Sequence, residues 1–148
     1  MWLGQKIIQK CAWIVLAGAM TACSAAEYSV AVDVAGRVWN DTVTLPIHNA
    51  DTITERTLRV FFRCDADFAR NSVATHVVVE TPDSLRFEEP FVVQFRCGDS
   101  PAAVLRECVA RYRSRVVFSK QGYYALKIVP DSPVEGIGAI GINIVKSE

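Results

Sequence analysis

Apolar and polar residues alternate along most of this sequence, and no other pattern in it limits the fold as strongly. Such alternation is typical of strands that bury one face. Turn-forming residues separate the alternating segments, and helical periodicity is absent between them. The pattern favours an all-β fold, a single antiparallel β-sandwich or jelly-roll-like domain of about eight strands. The predicted strands cover residues 28–34, 43–47, 58–64, 73–81, 91–97, 108–118, 123–129 and 137–145.

The first 22 residues have the features of a secretion signal rather than of a folded domain. Lys6 and Lys10 precede an apolar run over residues 11–20, which is shorter than the roughly 20 residues of a membrane-spanning helix. The run ends in Met20-Thr21-Ala22-Cys23, which resembles the lipobox of bacterial lipoproteins, where the cysteine thiol takes a diacylglyceryl group. The alternative is an ordinary signal peptide with an incidental cysteine.

These boundaries predict a signal peptide over residues 1–22, a lipid-anchored tether over 23–27 and the β-sandwich over 28–148. The whole chain has 16 basic and 16 acidic residues, so removal of the two lysines in the signal leaves an excess of two acids. A balance this close to neutral argues against a nucleic-acid partner. The spacing of the two histidines and the cysteines predicts neither a metal site nor a cofactor.

Three cysteines, Cys64, Cys97 and Cys108, remain in the predicted domain after lipidation of Cys23. Export places them in an oxidising compartment, where one disulfide is expected. Alternation directs the side chains of Cys97 and Cys108 to the apolar side of adjacent segments. We therefore predict a disulfide between Cys97 and Cys108 and a buried Cys64 thiol, although pairings with Cys64 stay open because the strand order is unknown.

The predicted domain resembles the GldH-type gliding-motility lipoproteins of the Bacteroidota. The order and spacing of its short strand motifs, together with the lipobox, carry the resemblance. It implies an envelope lipoprotein linked to gliding or to the associated secretion machinery, with no enzymatic activity. The matching stretches are Val38-Trp39, residues 58–63, Phe68, Asn71, residues 77–83, residues 122–128 and residues 136–144.

Arg111, Arg113 and Arg115 recur at every second position of a predicted strand. Side chains with this spacing share one face of a sheet, so the three arginines are a candidate face for a phosphate, an acidic glycan or an acidic protein. The alternative is an ordinary solvated outer face that protects the sheet from aggregation.

Aromatic residues offer a second candidate site. Trp39, Tyr112, Tyr123 and Tyr124 could form a platform on which sugars stack. However, a domain of this size needs large apolar anchors, which favours a core position for Trp39 and for one of the tyrosines.

Two further patterns are better explained by structure than by chemistry. Gly136, Gly138 and Gly141 match the spacing of a dinucleotide-binding fingerprint, but such a site needs a following helix and a distant acidic residue. The glycines are therefore expected to permit a bend or close packing of strands. Glu88 and Glu89 are adjacent carboxylates, but neighbours on a strand face opposite ways and cannot act as a catalytic pair. They are predicted to lie in a solvated turn.

The sequence thus favours a structural or docking lipoprotein over an enzyme. The alternative function is a carbohydrate- or cell-wall-binding lipoprotein, which would need exposed aromatic side chains in a groove. The expected partners are the membrane, through the lipid anchor, and other envelope proteins, while the oligomeric state stays open. Ser24 follows Cys23 and is not the aspartate associated with inner-membrane retention, so the expected location is the outer membrane, facing the periplasm.

Overall fold

The computed structural model describes residues 27–97 and 105–148, which form an all-β sandwich of antiparallel sheets. The predicted fold class is therefore confirmed. The predicted signal peptide and Cys23 lie outside the described residues. The strands are β1 (Tyr28–Asp33), β2 (Val38–Trp39), β3 (Val43–Asn49), β4 (Arg56–Cys64), β5 (Ser72–Glu80), β6 (Arg86–Gln94), β7 (Arg96–Cys97), β8 (Arg106–Val116), β9 (Gly122–Pro130), β10 (Val134–Glu135) and β11 (Ile137–Lys146).

Two sheets form the sandwich. One has five strands in the order β1-β11-β4-β8-β7, and the other has four in the order β3-β9-β5-β6. A two-stranded ribbon of β10 and β2 lies beside them, preceded by a single 3₁₀ turn over Ala35–Arg37. Within residues 27–97 and 105–148 there is no helix of the length and apolarity that a membrane span requires.

The inner faces of the two sheets build the core. Val60, Phe62 and Ile140 from the five-stranded sheet, and Leu45 and Leu126 from the four-stranded sheet, are almost completely buried. Each such side chain contributes about 1.5–3 kcal/mol when it leaves water. Alternation along the strands therefore selects which face of each sheet turns inward.

Phe95 marks the point where the chain passes from one sheet to the other. The predicted single strand over residues 91–97 is wrong, because β6 ends on the four-stranded sheet and β7 pairs with β8 on the five-stranded sheet. The Phe95 ring lies between the sheets, 4.9 Å from the ring of Phe62 and 4.8 Å from that of Phe68. This aromatic cluster fixes the crossover.

The glycines near the C-terminus have the structural roles expected of them. Gly136 has a φ of +84°, and a Cβ there would lie 2.5 Å from the backbone nitrogen of Phe68. A Cβ on Gly141 would collide with the ring of Phe61. Gly136 thus permits a bend before β11, and Gly141 makes room for an aromatic ring on the outer face of the sheet.

Both outer strands of the four-stranded sheet contain a proline. Pro46 lies opposite Ala125 within β3, and Pro90 lies opposite His76 within β6. Proline has no backbone N–H, so each edge lacks one of the donors that an added strand would need.

Candidate functional site

The three predicted arginines do not share a face, so that prediction is wrong. Pairing between β4 and β8 shifts register twice: Arg111 lies opposite Arg59, Arg113 opposite Leu58 and Val116 opposite Arg56. Extra residues in β8 interrupt the alternation, as in a β-bulge. Because directly opposed residues project to the same side, Arg113 lies on the inner side with Leu58, whereas Arg111 lies on the outer side with Arg59.

Arg113 bridges the two sheets. Its guanidinium donates to the Glu89 carboxylate on β6, and the Tyr112 hydroxyl donates to the other oxygen of the same carboxylate at 2.5 Å. The Arg113 guanidinium, and then the Tyr112 hydroxyl, hold the pKa of Glu89 below its usual range. Burial, followed by the bond to Glu89, raises the pKa of Tyr112 to about 12. Because Glu89 lies on strand β6, the predicted turn over Glu88 and Glu89 is wrong.

Arg115 is also paired, but at the end of β8. Its Nε lies 3.0 Å from a carboxylate oxygen of Glu55. Its φ is +57°, which lies outside the extended region. The side chain of Arg115 therefore does not continue the alternation of the strand. Of the three predicted arginines, this leaves Arg111 as the one that forms no ion pair with a carboxylate of residues 27–97 or 105–148.

Arg59, Arg96 and Arg111 form an exposed cluster on the outer side of the five-stranded sheet, here called the arginine face. Arg59 and Arg111 are opposed across β4 and β8, while Arg96 lies opposite Val109 across β7 and β8. The three side chains line one depression of about 510 Å³, which extends to the neighbouring edge of the four-stranded sheet at Phe91, Val92 and Gln94. No carboxylate of the described residues forms an ion pair with any of them. Opposed like charges destabilise a strand pair, so an anion bound here would relieve that repulsion.

An apolar cleft of about 450 Å³ opens between the sheets beside β6 and β8. Leu58, Val79, Phe87, Val116 and Leu126 line it. The bonded group formed by Glu89, Tyr112 and Arg113 closes one wall. Because the Glu89 charge is balanced by Arg113, the cleft has no uncompensated charge on this wall.

The ends of the sandwich differ in their loops. We call one the N-terminal end; it consists of Glu27, the turns over residues 50–55, 81–85 and 117–121, and residues 147–148. We call the other the disulfide end; it consists of residues 34–42, 65–71, 95–97 and 131–136. Of the eight large apolar residues that are exposed in the described parts of the chain, five lie in or beside the turns of the N-terminal end: Ile53, Leu85, Phe87, Val117 and Tyr123.

Hydrogen bonds hold the turns of the N-terminal end together. The Asp51 carboxylate accepts bonds from the backbone N–H groups of Ile53 and Thr54 and from the Thr54 hydroxyl. The Thr54 hydroxyl and these N–H groups hold the pKa of Asp51 well below its usual range. Arg56 bonds to both Asp51 and Glu27. The exposed Ile53 side chain therefore stands on a fixed turn.

Contacts also connect this turn to its neighbours. The Gln121 side chain donates to the carbonyl of Ala50, and Lys120 forms an ion pair with Asp83 at 3.7 Å. The three turns of the N-terminal end are thereby linked to one another.

The cysteines have distinct environments. Cys97 and Cys108 face each other across β7 and β8 and form a disulfide. Cys64 is a buried free thiol, and desolvation raises its pKa to about 12, so it stays protonated and unreactive in the folded protein.

The four predicted aromatic residues do not form one platform. Trp39 and Tyr124 are buried, and Tyr112 packs edge-on against Phe91. Tyr123 is exposed and lies against His48 on the outer face of the four-stranded sheet, with 4.8 Å between ring centroids.

The remaining titratable groups form few clusters. His76 and Asp131 lie 2.8 Å apart, and each side chain is about half exposed. Residues 27–97 and 105–148 contain no group of three His, Cys, Asp or Glu side chains with the arrangement of a metal site.

Comparison with known proteins gives a weak structural likeness. No family model matches the chain, and no curated protein sequence is similar to it. Among solved structures, a CspB protease from Clostridium perfringens is 13% identical, with a TM-score of 0.42 over 79% of this chain. This chain spans a quarter of the length of that protease chain, and the likeness is too weak to bear on function.

Proposed function

We propose that this protein is a non-catalytic envelope lipoprotein, anchored through Cys23, that docks on an acidic surface of another envelope protein. The observation that carries the docking proposal is the arginine face, where Arg59 and Arg111 oppose each other beside Arg96. Planar guanidinium groups suit bidentate recognition of carboxylates. An acidic partner would therefore supply the counter-charges that the described residues do not provide.

The resemblance to GldH-type lipoproteins supports a role in gliding or the associated secretion machinery, on the periplasmic side of the outer membrane. The alternative, carbohydrate binding, is less well supported. The exposed large aromatic side chains of the described residues are Phe87 and Tyr123. These belong to opposite sides of the four-stranded sheet, since Phe87 lines the cleft and Tyr123 lies on the outer face with His48. They form no shared groove for a sugar chain.

Membrane fractionation tests the anchor. We expect Cys23→Ser to release the protein from the membrane fraction or to leave its signal uncleaved, because the substituted side chain lacks the thiol that is acylated. Cys11→Ser, in the predicted signal, is the matched control and should fractionate like the parent protein. Membrane retention of a processed Cys23→Ser protein would refute lipid anchoring.

Affinity capture tests the partner surface. Native lipidated protein, cross-linked in cells, should retain an acidic envelope protein, and Arg59→Ser/Arg111→Ser should lose it. The matched control is Arg37→Ser/Arg86→Ser, which removes two exposed arginines outside the arginine face. Equal capture by both double variants would show that the partner binds elsewhere.

A further inference from the structure

We propose that the N-terminal end of the sandwich rests on the lipid surface, with Ile53 and Leu85 in contact with the bilayer interface. This inference rests on the proposed acylation of Cys23. It adds a defined orientation to the anchor and names the side chains that contact the lipid.

The length of the tether selects this end. Four peptide units join Cys23 to Glu27, and they span at most about 14 Å when fully extended. The strands that run between the two ends are longer: β8 has 11 residues, or roughly 36 Å at the usual rise per residue. A short tether that enters at Glu27 therefore holds the N-terminal end near the membrane and leaves the disulfide end away from it.

The exposed apolar side chains select the same end independently of the tether. Ile53 is 84% exposed, and the exposed Leu85 lies in the neighbouring turn, which it closes by pairing with Thr81. The backbone N–H of Ile53 donates to the Asp51 carboxylate, and the backbone N–H of Leu85 donates to the hydroxyl oxygen of Thr81. Because these turns are already ordered, placing their side chains in the interface has little entropic cost.

Most of the charges at this end form ion pairs. Glu27 and Asp51 pair with Arg56, Glu55 pairs with Arg115, and Asp83 pairs with Lys120. Glu27 and Asp51 share one guanidinium, and Glu148 forms no ion pair with the described residues, so this end keeps a small net negative charge. Contact with an anionic headgroup layer therefore depends on the acyl anchor and the apolar side chains rather than on charge.

This orientation has a consequence for docking. The arginine face lies on the outer side of the five-stranded sheet, and the strands of that sheet run from one end of the sandwich to the other. With the N-terminal end on the bilayer, the arginine face is perpendicular to the membrane plane and is exposed laterally. A partner would then approach it laterally.

Site-specific fluorescence tests the orientation. The lipidated protein carrying Ile53→Cys is labelled with bimane and reconstituted into vesicles of phosphatidylethanolamine and phosphatidylglycerol. Val38→Cys is the matched control, because Val38 is also an exposed apolar residue but belongs to the disulfide end. The buried Cys64 thiol does not compete for the label.

We expect brominated lipids to quench the label at position 53 strongly and to leave the label at position 38 unquenched. Flotation with the vesicles but equal quenching at both positions would overturn the orientation and leave the anchor intact. Failure of the protein to float with vesicles would overturn the anchor and this inference together.

Discussion

The disulfide end and the N-terminal end of the sandwich are closed in different ways. At the disulfide end, the rings of Trp39, Phe68 and Phe95 fill the space between the sheets, and the Cys97–Cys108 bond ties the crossover to β8. At the N-terminal end, ion pairs and capped turns hold the loops, and apolar side chains such as Ile53 point outward. Buried rings and a covalent bond thus close the disulfide end, whereas the N-terminal end combines the buried Phe118 ring with fixed turns and exposed apolar side chains.

The difference indicates that stability and contact reside in separate parts of the molecule. Removal of a buried ring creates a cavity and lowers the free energy of unfolding. Removal of an exposed side chain changes what the surface can bind but leaves the packing intact. Substitutions at the two ends should therefore affect different measurements.

Trp39→Ala should have the largest effect on stability. Trp39 is 1% exposed and packs against Phe62, and its indole N–H donates to the carbonyl of Asp41. Truncation of such a side chain lowers the free energy of unfolding by about 3–5 kcal/mol, which urea denaturation measures. The exposed Tyr123→Ala is the control. A loss for Trp39→Ala no larger than that of the control would contradict the assigned role of the disulfide end.

Cys97→Ser/Cys108→Ser should have the next largest effect. The two cysteines are 11 residues apart, and closing a loop of this length stabilises a protein by about 2–3 kcal/mol in the chain-entropy model. Thermal unfolding of the parent protein in a reductant should show a similar loss. If the reductant leaves the melting temperature of the parent protein unchanged, the disulfide does not stabilise this end.

Glu89→Gln should have a smaller effect that depends on pH. The lowered pKa of Glu89 means that its contribution to stability is present above the ordinary glutamate pKa of about 4.3. It is lost as the pH falls through the lowered value. The variant should be less stable than the parent at pH 7, by at most about 1 kcal/mol for a partly exposed pair. At pH 3 the difference should shrink, whereas an equal difference at both pH values would rule out the charge as its cause.

Ile53→Ser/Leu85→Ser should have the smallest effect on stability, within about 0.5 kcal/mol of the parent. Both side chains are exposed on turns that the backbone and Asp51 already fix. Chemical denaturation checks this, and Val38→Ser provides the corresponding change at the disulfide end. A substantial loss would show that the two side chains pack within the fold and are not available to a membrane.

Local alternation was sufficient to predict most of the strands, because the period of two records which side of each strand is buried. It could not reveal the crossover at Phe95. Phe91, Val93, Phe95 and Cys97 alternate without interruption, although the first two belong to one sheet and Cys97 to the other. The change of sheet depends on where the Phe95 ring packs, which local periodicity does not encode.

The arginine face illustrates a second limit. The alternation in β4 placed Arg59 on the polar side of its strand, but its opposition to Arg111 depends on the register between segments about 50 residues apart. The register irregularity between Arg111 and Arg113 in β8 then moved Arg113 to the inner side. Periodicity assumes a regular strand, so it grouped Arg113 with Arg111 and missed both Arg59 and Arg96.

The prolines in the edge strands of the four-stranded sheet would gain importance with the proposed membrane anchor. Anchored copies share one plane and one orientation, so their flanks collide far more often than those of molecules tumbling in dilute solution. Exposed strand edges that meet in this way tend to join into continuous sheets. Pro46 in β3 and Pro90 in β6 each remove a donor from the middle of an outer edge. With the proposed anchor, these two edges of the four-stranded sheet would resist edge-to-edge joining of neighbouring copies.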